Sequence, residues 1–499
     1  MNRRTASRES VAHWVWLAAT MAASAALYLA HSLLRFRNFE ARGYDLGIFD
    51  QAVRAYSQFQ APVSPIKGED FHLLGDHFHP IIAVLAPLYW IWDDPRMLNI
   101  ALVALLVSAA VPVCLVVRGW FSDRVGLLAA AALLLGWPFQ AFINWDFHEI
   151  AFAVPIIGWV IWCVERRHPW TAVLLSCVLL LVREDMGATC VAIAAVLLLR
   201  RCWAPAAVLA VAGTVGLWLA VGVIIPYFAP AGEFGYWDYT SLGPTASAAA
   251  LFMLTQPWNV LPMLVDHPLK IALLAAHLVP LWLLPLLSPY TLIGLPMLIS
   301  RLLNDRLTVW GLVYHYDAAL GLILLLAAFD TLRRIRARRH RRSRGEYRPA
   351  VILPVSVVLL SVLGGVVLQL TADRDYQIFP MHLTYTGQNW QLPERAEAHQ
   401  RAVGLIPDGA CVEASDTAAP HLTQRAHVGL AGTLDDDRVD WMIIDADAEE
   451  LGGSDPLSPQ EAFARAEQLG LETLSADDDG LWVLGRDTSN HAECTEHLE

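Results

Sequence analysis

Carboxylates and imidazoles collect in short polar segments of a chain that is otherwise strongly apolar. Asp45 and Asp50 lie in the first segment, and Asp76-His77-Phe78-His79 places two imidazoles and a carboxylate within four residues. A third segment follows at Asp146-Phe147-His148-Glu149. Ionisable groups at a membrane are costly unless they bind or react with a substrate. We therefore expect these segments to belong to a functional site.

Asp45 is the candidate catalytic residue. It follows Gly43 at the start of a segment in which Phe49, Ala52 and Tyr56 recur at helical spacing, which predicts an amphipathic helix on the membrane surface. The Asp45 carboxylate could cap this helix by accepting backbone N–H bonds, or it could be the general base for an acceptor hydroxyl. The two roles are compatible, because a cap holds the carboxylate ionised and oriented.

Two of the polar segments could bind a divalent metal ion. The candidate ligands are Asp76, His77, His79, Asp146, His148 and Glu149. Imidazoles two residues apart in an extended segment face the same way, as a metal pair requires. Carboxylates three residues apart share one face of a helix and could hold a divalent ion beside a phosphate. Structural hydrogen bonding is the alternative for both segments.

Further polar and aromatic side chains suit a phosphorylated sugar substrate. The candidates are Asp50, Arg183, Glu184, Tyr236, Trp237, Arg301, Arg306, His315 and Tyr316. Arginine forks bind phosphate or pyrophosphate, and aromatic rings stack on sugars. The alternatives are an internal ion pair for Arg183 and Glu184, lipid-headgroup anchoring for the later arginines, and an interfacial aromatic belt for Tyr236 and Trp237.

Composition indicates a membrane protein with an acidic C-terminal part. The chain is 56% hydrophobic and 17% charged, which is typical of a polytopic membrane protein. Residues 371–499 carry 7 basic and 26 acidic residues, so nucleic acid is excluded as a partner of this part. Cys411 and Cys494 lie within it and could form a disulfide if the domain is outside the cytoplasm.

The distribution of arginine predicts the topology. Arg3, Arg4 and Arg8 place the N-terminus in the cytoplasm, and nine arginines between Arg333 and Arg348 mark a second inside segment. Eleven spans follow, near 13–33, 97–117, 125–142, 151–166, 169–182, 187–200, 204–227, 247–266, 271–288, 314–331 and 350–370. With an odd number of spans and a cytoplasmic N-terminus, the polar segments and the C-terminal domain are all expected on the outer side.

The predicted fold class is a mainly α polytopic helical bundle with an extracytoplasmic α/β domain. The transmembrane domain covers 1–372, with outer juxtamembrane helices at 43–92, and the acidic domain covers 373–499. Strands are predicted at Ala410–Ala414, Trp441–Asp445 and Leu481–Gly485, and a helix at Pro459–Leu469.

The ordered polar segments resemble the bacterial membrane family called domain of unknown function 2079. The resemblance rests on Tyr44–Gln51, Asp76–Pro80, Asp146–Glu149, Arg183–Asp185 and His315-Tyr316. The layout of that family is in turn similar to the glycosyltransferase C superfamily, which uses polyprenyl-phosphate sugars at the outer membrane face. In that superfamily an acidic residue in the first outer loop acts as the base or holds a metal, and a second acidic motif follows the third helix.

The resemblance implies a membrane glycosyltransferase with a lipid-linked donor. Asp45 would be the base for inverting transfer of a sugar from a polyprenyl phosphate to an unknown hydroxyl acceptor, and Arg301 or Arg306 would hold the leaving phosphate. A divalent metal ion is the one cofactor implied, although the second motif is Asp-Phe-His-Glu rather than Asp-x-Asp. The alternative is a non-catalytic envelope protein or a lipid transporter on the same scaffold.

Overall fold

The protein is described here from a computed structural model, for residues 3–339, 346–368, 379–453, 455–486 and 494. The bundle helices are α1 (Arg3–Arg37), α2 (Ile48–Ser57), α3 (Ala86–Tyr89), α4 (Arg96–Ser108), α5 (Ala110–Trp120), α6 (Asp123–Leu134), α7 (Trp137–Asn144), α8 (Ala153–Glu165), α9 (Pro169–Leu179), α10 (Met186–Leu199), α11 (Trp203–Leu219), α12 (Ile225–Phe228), α13 (Ala246–Thr255), α14 (Pro257–Met263), α15 (Pro268–Leu278), α16 (Thr291–Leu303), α17 (Ala318–Arg339) and α18 (Arg348–Leu368). Short π-helical turns occupy Gly43–Gly47 and Ala220–Ile224. The chain is mainly α-helical, as predicted.

Four helical segments in the described part of the chain are long and apolar enough to cross a membrane. They are Val11–Arg37, Arg96–Trp120, Asp123–Asn144 and Trp203–Phe228. The pair α14 and α15 passes the same test but is bent by 79°, so the count is four or five. Six further apolar helices are 10–17 residues long, and the expected eleven spans are not confirmed. Short helices are found here because Pro and the polar segments interrupt the apolar runs.

Helices α10 and α11 pack against each other through glycine. A Cβ atom built on Gly187 would lie 2.5 Å from the carbonyl oxygen of Gly213, and one built on Gly213 would lie 2.6 Å from that of Gly187. Small residues at such a crossing let two helix backbones approach closely, which is how apolar helices associate where burial from water cannot drive them. This contact fixes α11 beside the segment that precedes α10.

The polar segments lie at one end of the bundle because helices begin and end there. Helix α7 ends at Asn144 and α8 begins at Ala153, with His148 and Glu149 between them. Arg183 and Glu184 likewise separate α9 from α10, and His315 immediately precedes α17. Since these three helices leave the same region in the same direction, their far ends (Glu165, Arg200 and Arg333) meet at the opposite end of the bundle. The topology therefore gathers distant polar segments at one end.

The C-terminal domain contains a five-stranded mixed sheet. Its elements are α19 (Met381–Tyr385), α20 (Glu394–Leu405), β1 (Cys411–Ala414), β2 (His427–Leu430), β3 (Trp441–Asp445), α21 (Pro459–Gln468), β4 (Glu472–Ala476) and β5 (Leu481–Gly485). The strand order is β2-β1-β3-β5-β4, in which the first three strands are parallel and the last two pair antiparallel. The three predicted strands and the predicted helix are confirmed, and β2 and β4 were not predicted.

The two faces of this sheet belong to different cores. Ile443 of β3 and Val412 of β1 join the apolar cluster that continues into the bundle. Met442 and Ile444 alternate to the other face and pack with Ala462 of α21. Because successive strand residues point to opposite faces, one face seals against the membrane part while the other is covered by a helix of its own. Cys411 and Cys494 are joined by a disulfide, with Cα atoms 5.8 Å apart.

Two expectations lie partly or wholly outside the described residues. The boundary proposed between residues 372 and 373 falls in the segment 369–378, and the centre of the basic run falls at 340–345. The flanking helices α17 and α18 are described on either side of the basic run.

Candidate active site

A cavity of about 890 Å³ opens at the end of the bundle where the polar segments meet. Most of the predicted site residues line it: Asp45, Asp76, His77, His79, His148, Glu149, Arg183, Glu184, Tyr236, Trp237, Arg301, Arg306, His315 and Tyr316. Asp50 and Asp146 do not. The structure therefore brings into one space residues that are far apart in the chain.

Asp45 faces a histidine rather than a helix end. The π-helix Gly43–Gly47 has Arg42 at its N-cap and no side-chain capping bond, and Asp45 Oδ1 lies 3.2 Å from His148 Nε2. The interpretation of Asp45 as the cap is therefore wrong. A π-helical turn widens the backbone spiral, and such turns occur often at functional sites. Here the turn presents the carboxylate to the cavity.

His148 is placed between two oxygen acceptors. Its Nδ1 lies 3.1 Å from the carbonyl oxygen of Asp146, and its Nε2 faces the Asp45 carboxylate. An imidazole whose two nitrogens both meet acceptors is best satisfied when both are protonated. Burial lowers the pKa of His148, but hydrogen bonding and attraction to Asp45 outweigh it and raise the pKa above its usual value. The arrangement therefore favours protonation of His148 beside the Asp45 carboxylate.

A second imidazole stacks on His148 and stays neutral. The ring centroids of His148 and His315 lie 3.5 Å apart with planes 18° from parallel. Burial lowers the pKa of His315 well below its usual value, and the positive charges of His148, Arg183 and Arg301 lower it further. Its Nδ1 is buried with no hydrogen-bond partner among the described residues. This nitrogen is thus available to a bound group in the cavity.

Lys67 contributes an ammonium group to the lining of the cavity. Its Nζ lies 2.5 Å from Asp76 Oδ1 and 3.3 Å from the Tyr236 hydroxyl, which in turn donates to Asp76. The ammonium also lies 5.2 Å from the centre of the Tyr44 ring. Burial raises the pKa of Asp76, but His77 and Lys67 nearby outweigh it and hold the pKa below its usual value. The ion pair with Asp76 therefore fixes the Lys67 ammonium at the cavity wall.

His77 and Glu184 form a partly buried ion pair near Lys67. His77 Nδ1 lies 2.8 Å from Glu184 Oε1, and the backbone N–H of Phe78 donates to the other carboxylate oxygen at 3.0 Å. Burial lowers the pKa of His77, but the Glu184 carboxylate more than offsets this and raises it to about 9. The His77 ring stacks on Tyr236 at 4.4 Å. The pair thus supports an aromatic surface at the cavity wall.

Arg301 is bound to the protein itself, which corrects its expected role. Its Nε donates to the Val309 carbonyl at 2.8 Å, and its Nη2 donates to that of Gly311 at 3.0 Å. The guanidinium also pairs with buried Asp317, which accepts from His277 as well. Because its donors already have acceptors, Arg301 orders the loop before α17 instead of offering a free fork to phosphate.

Arg306 and Arg183 differ in how much of their charge is available. Arg306 is 53% exposed and meets Asp238 at 3.6 Å. Arg183 is held at 2.8 Å by each oxygen of Asp185 and lies 3.5 Å from Glu149. Arg306 is therefore the arginine best placed to reach a phosphate in the cavity.

Asp50 and Asp146 support the site from outside. Arg54 and the hydroxyl of Tyr89 bind the fully buried Asp50 carboxylate, the latter at 2.7 Å. Asp146 accepts from Arg35 at 3.2 Å and from the backbone N–H of Arg42 at 3.0 Å. Both carboxylates were expected to touch substrate or metal, and both are satisfied by protein groups instead.

Comparison with known proteins identifies the family. The family described as "Predicted membrane protein (DUF2079)" matches residues 35–482. The chain belongs to this family. No curated protein matches the DUF2079 chain.

Solved structures show which fold this DUF2079 protein shares. The crystal structure of ArnT from Cupriavidus metallidurans bound to undecaprenyl phosphate matches with a TM-score of 0.53 and 12% identity, over 96% of this chain and 99% of that one. At this identity the likeness shows the fold, which is the one expected from the resemblance to glycosyltransferase C. The oligosaccharyltransferase AglB from Archaeoglobus fulgidus, in complex with an inhibitory peptide and a dolichol-phosphate, matches with a TM-score of 0.42 and 13% identity, over 87% and 70%.

Lys67 is the site residue that sequence reasoning missed. Of the 35 basic residues in this DUF2079 chain, two are lysines, Lys67 and Lys270. The rarity of lysine in a chain rich in arginine could have pointed to Lys67, because a compact ammonium suits a point contact with phosphate.

The cavity residues do not fit a divalent metal ion. Across the described parts of the chain, no three His, Cys, Asp or Glu side chains group as a metal site. Lys67 already neutralises Asp76, and His77 already neutralises Glu184. The three predicted carboxylate ligands, Asp76, Asp146 and Glu149, thus lie beside the protein cations Lys67, Arg35 and Arg183. No step below passes through a metal.

Proposed function

We propose that this protein transfers a sugar from a polyprenyl-phosphate donor to a hydroxyl acceptor. The observation that carries the proposal is the shared cavity, in which the Asp45 carboxylate and the Lys67 ammonium face the same space. A base for the acceptor and a cation for the leaving phosphate are the two groups this reaction needs.

Asp45 would act as the base. It takes the proton of the acceptor hydroxyl while the acceptor oxygen bonds to the anomeric carbon. The bond from that carbon to the phosphate oxygen breaks on the opposite face, and its electron pair leaves with the phosphate, so the configuration inverts. His148 keeps the carboxylate oriented through the 3.2 Å contact.

Lys67 and Arg306 would bind the phosphate. Charge grows on the leaving oxygen during transfer, and fixed cations in a water-poor site stabilise it without reorganising. Lys67 is held in place by Asp76 and Tyr236, while Arg306 is more exposed and could adjust to the ligand. Tyr236 and Trp237 would supply the aromatic surface for the sugar.

An apolar arm of the same cavity would hold the lipid. Leu217, Trp218 and Val221 line it from α11 and the π-helical turn that follows, and Met297 lines it from α16. An isoprenoid chain in the bilayer can pack against such a surface through van der Waals contacts. The ArnT structure of the same fold contains undecaprenyl phosphate, which supports a lipid of this class.

The proposal includes the outward orientation of the site. Eleven crossings from a cytoplasmic N-terminus would place the cavity and the C-terminal domain outside the membrane. The disulfide between Cys411 and Cys494 supports this side, because disulfides persist in oxidising compartments.

The test uses the purified full chain with lipid-linked sugars. Undecaprenyl phosphate alone should bind the wild type, and labelled sugar should pass from undecaprenyl-phosphate donors to an acceptor hydroxyl. Asp45→Asn should stop transfer but keep lipid binding. Asp123→Asn, a carboxylate at the other end of the bundle, is the matched control and should leave both unchanged. Full transfer by Asp45→Asn would refute the assigned base.

A further inference from the structure

We propose that the C-terminal domain completes the active site, and that Asp416 positions the loop that carries Asp45. This inference rests on the proposed function for the role of Asp45. Asp416 is separated from that loop by more than 370 residues and was not among the predicted site residues.

Asp416 binds the backbone on the N-terminal side of Asp45. The N–H of Gly43 donates to the Asp416 carbonyl at 2.7 Å, and the N–H of Tyr44 donates to Asp416 Oδ1 at 2.8 Å. A Cβ atom on Gly43 would lie 2.8 Å from the Cβ of Ala419, so glycine permits this close approach. Two consecutive backbone donors are therefore fixed immediately before the proposed base.

The same domain also holds the wall that carries Lys67. Glu69 Oε1 lies 2.8 Å from His427 Nε2 and also pairs with Arg438. On the other side of Lys67, the Thr433 hydroxyl donates to the Pro65 carbonyl at 2.8 Å. The segments that carry Asp45 and Lys67 thus both contact the C-terminal domain.

The C-terminal domain makes close contacts with the segments on both sides of the Asp45 loop. Phe39, just beyond the end of α1, stacks on His421 with ring centroids 3.8 Å apart, and Phe36 lies 4.1 Å from the same ring. Gln51 and Arg54 of α2 donate to the carbonyls of Val428 and Thr423, each at 2.8 Å. Contacts on α1, the π-turn and α2 leave the Asp45 loop little freedom relative to the sheet.

Asp416 is therefore a positioning residue that acts through the backbone. It lies two residues beyond β1, at the carboxyl end of the parallel strands. Holding Gly43 and Tyr44 sets the π-turn, and the π-turn aims Asp45 at His148. A displacement of about 1 Å in a catalytic group can cost about 100-fold in rate.

The first experiment measures the loop and needs no activity. Hydrogen–deuterium exchange of the full chain should show protected amides in the peptide covering residues 41–47. In Asp416→Ala these amides should exchange about tenfold faster, because one hydrogen bond is lost. Asp416→Asn keeps an acceptor oxygen and should restore protection. Asp437→Ala, an exposed carboxylate of the same domain, should match the wild type. Unchanged exchange in Asp416→Ala would overturn the inference.

The second experiment measures transfer with the same four proteins. Asp416→Ala should lower kcat about tenfold or more with the KM for the lipid donor nearly unchanged, and Asp416→Asn should recover most of the loss. An equal loss in both variants, or a loss confined to KM, would overturn the positioning role. If the wild type transfers no sugar while the exchange result holds, the proposed function fails and the loop contact stands.

Discussion

Two ionic clusters lie at opposite ends of the same helices and differ in how completely they are paired. At the end away from the cavity, Glu165 Oε1 meets Arg200 and Tyr290, and its Oε2 accepts from Trp120 and Arg333 at 2.7 and 2.6 Å. Each oxygen of this carboxylate has two partners. The cluster joins α5, α8, α10, α16 and α17.

The cluster at the cavity is paired less completely. Asp45 has one short contact, to His148, and the Nδ1 atoms of His315 and His79 are buried without hydrogen-bond partners among the described residues. Buried polar groups are normally satisfied, so unmatched ones indicate a place for a ligand. The comparison teaches that a dense group of charges is not a site in itself. Incomplete pairing inside a cavity is what distinguishes the cluster around Asp45 from the one around Glu165.

The largest expected effect is a loss of turnover, without a loss of stability, when the cluster at the cavity is changed. Asp45→Asn should reduce transfer by about a thousandfold, because an amide cannot take the acceptor proton. The melting temperature should stay close to that of the wild type, since Asp45 caps no helix end. Turnover assays and thermal melts of the same detergent preparation check both parts. A melting temperature far below that of the wild type would show that the Asp45 carboxylate has a structural role.

Glu165 should show the opposite response. Glu165→Gln removes the charge that Arg200 and Arg333 share. These arginines are 37% and 28% exposed, so weakening their bonds to the carboxylate should cost about 2 kcal/mol of stability. Turnover per folded molecule should not change. The exposed Glu346→Gln, at the same end of the bundle, is the control and should melt like the wild type. A loss of transfer without a loss of stability would contradict the comparison.

A pH series tests the contact between the two domains. Burial raises the pKa of Asp416 to about 6, with the Tyr44 N–H and Arg42 opposing the shift and Asp45 and Asp146 adding to it. Aspartate in an unfolded chain has a pKa of about 3.9. Between that pH and pH 6 the native chain therefore binds more protons than the unfolded chain. This difference in proton binding adds at most about 3 kcal/mol to the free energy of unfolding. The gain is complete below about pH 4 and is lost as the pH rises through 6.

The amide in Asp416→Asn does not titrate, so the free energy of unfolding of this variant should not show this loss. The melting temperature of the wild type relative to the variant should therefore fall between pH 4.5 and pH 7.5. A constant difference across the series would show that Asp416 does not take up a proton on folding.

The smallest expected effect concerns the lysines. Lys67→Met should weaken binding of undecaprenyl phosphate about tenfold, because one charge-assisted contact is lost. Lys270→Met is the matched variant, since Lys270 lies over the Trp310 ring at 4.3 Å and outside the cavity. Equal affinities for the two variants, measured on folded protein, would exclude Lys67 from the phosphate site.

The sequence predicted which polar segments meet, but not how each side chain is paired. Segment order and the alternation of helices were enough to bring His148, Arg183 and His315 to one end. The pairing of Arg301 with Asp317, and of Asp50 with Tyr89, depends on tertiary contacts that residue type does not reveal. In the same way, the buried strands β1, β3 and β5 were readable from their apolar residues. The edge strand β4 was not, because Glu472–Ala476 is polar and mostly exposed.

The hydrogen bond between Tyr44 and Asp416 also bears on the timing of biosynthesis. The two residues are 372 positions apart, so at 5–20 residues per second the partner of Tyr44 is made roughly 20–75 s later. Until then the Asp45 loop has no surface to fold against. A nascent or prematurely terminated chain that lacks Asp416 would therefore contain the proposed base but not the contact that positions its loop. The geometry of the loop would form only after residue 416 has been made.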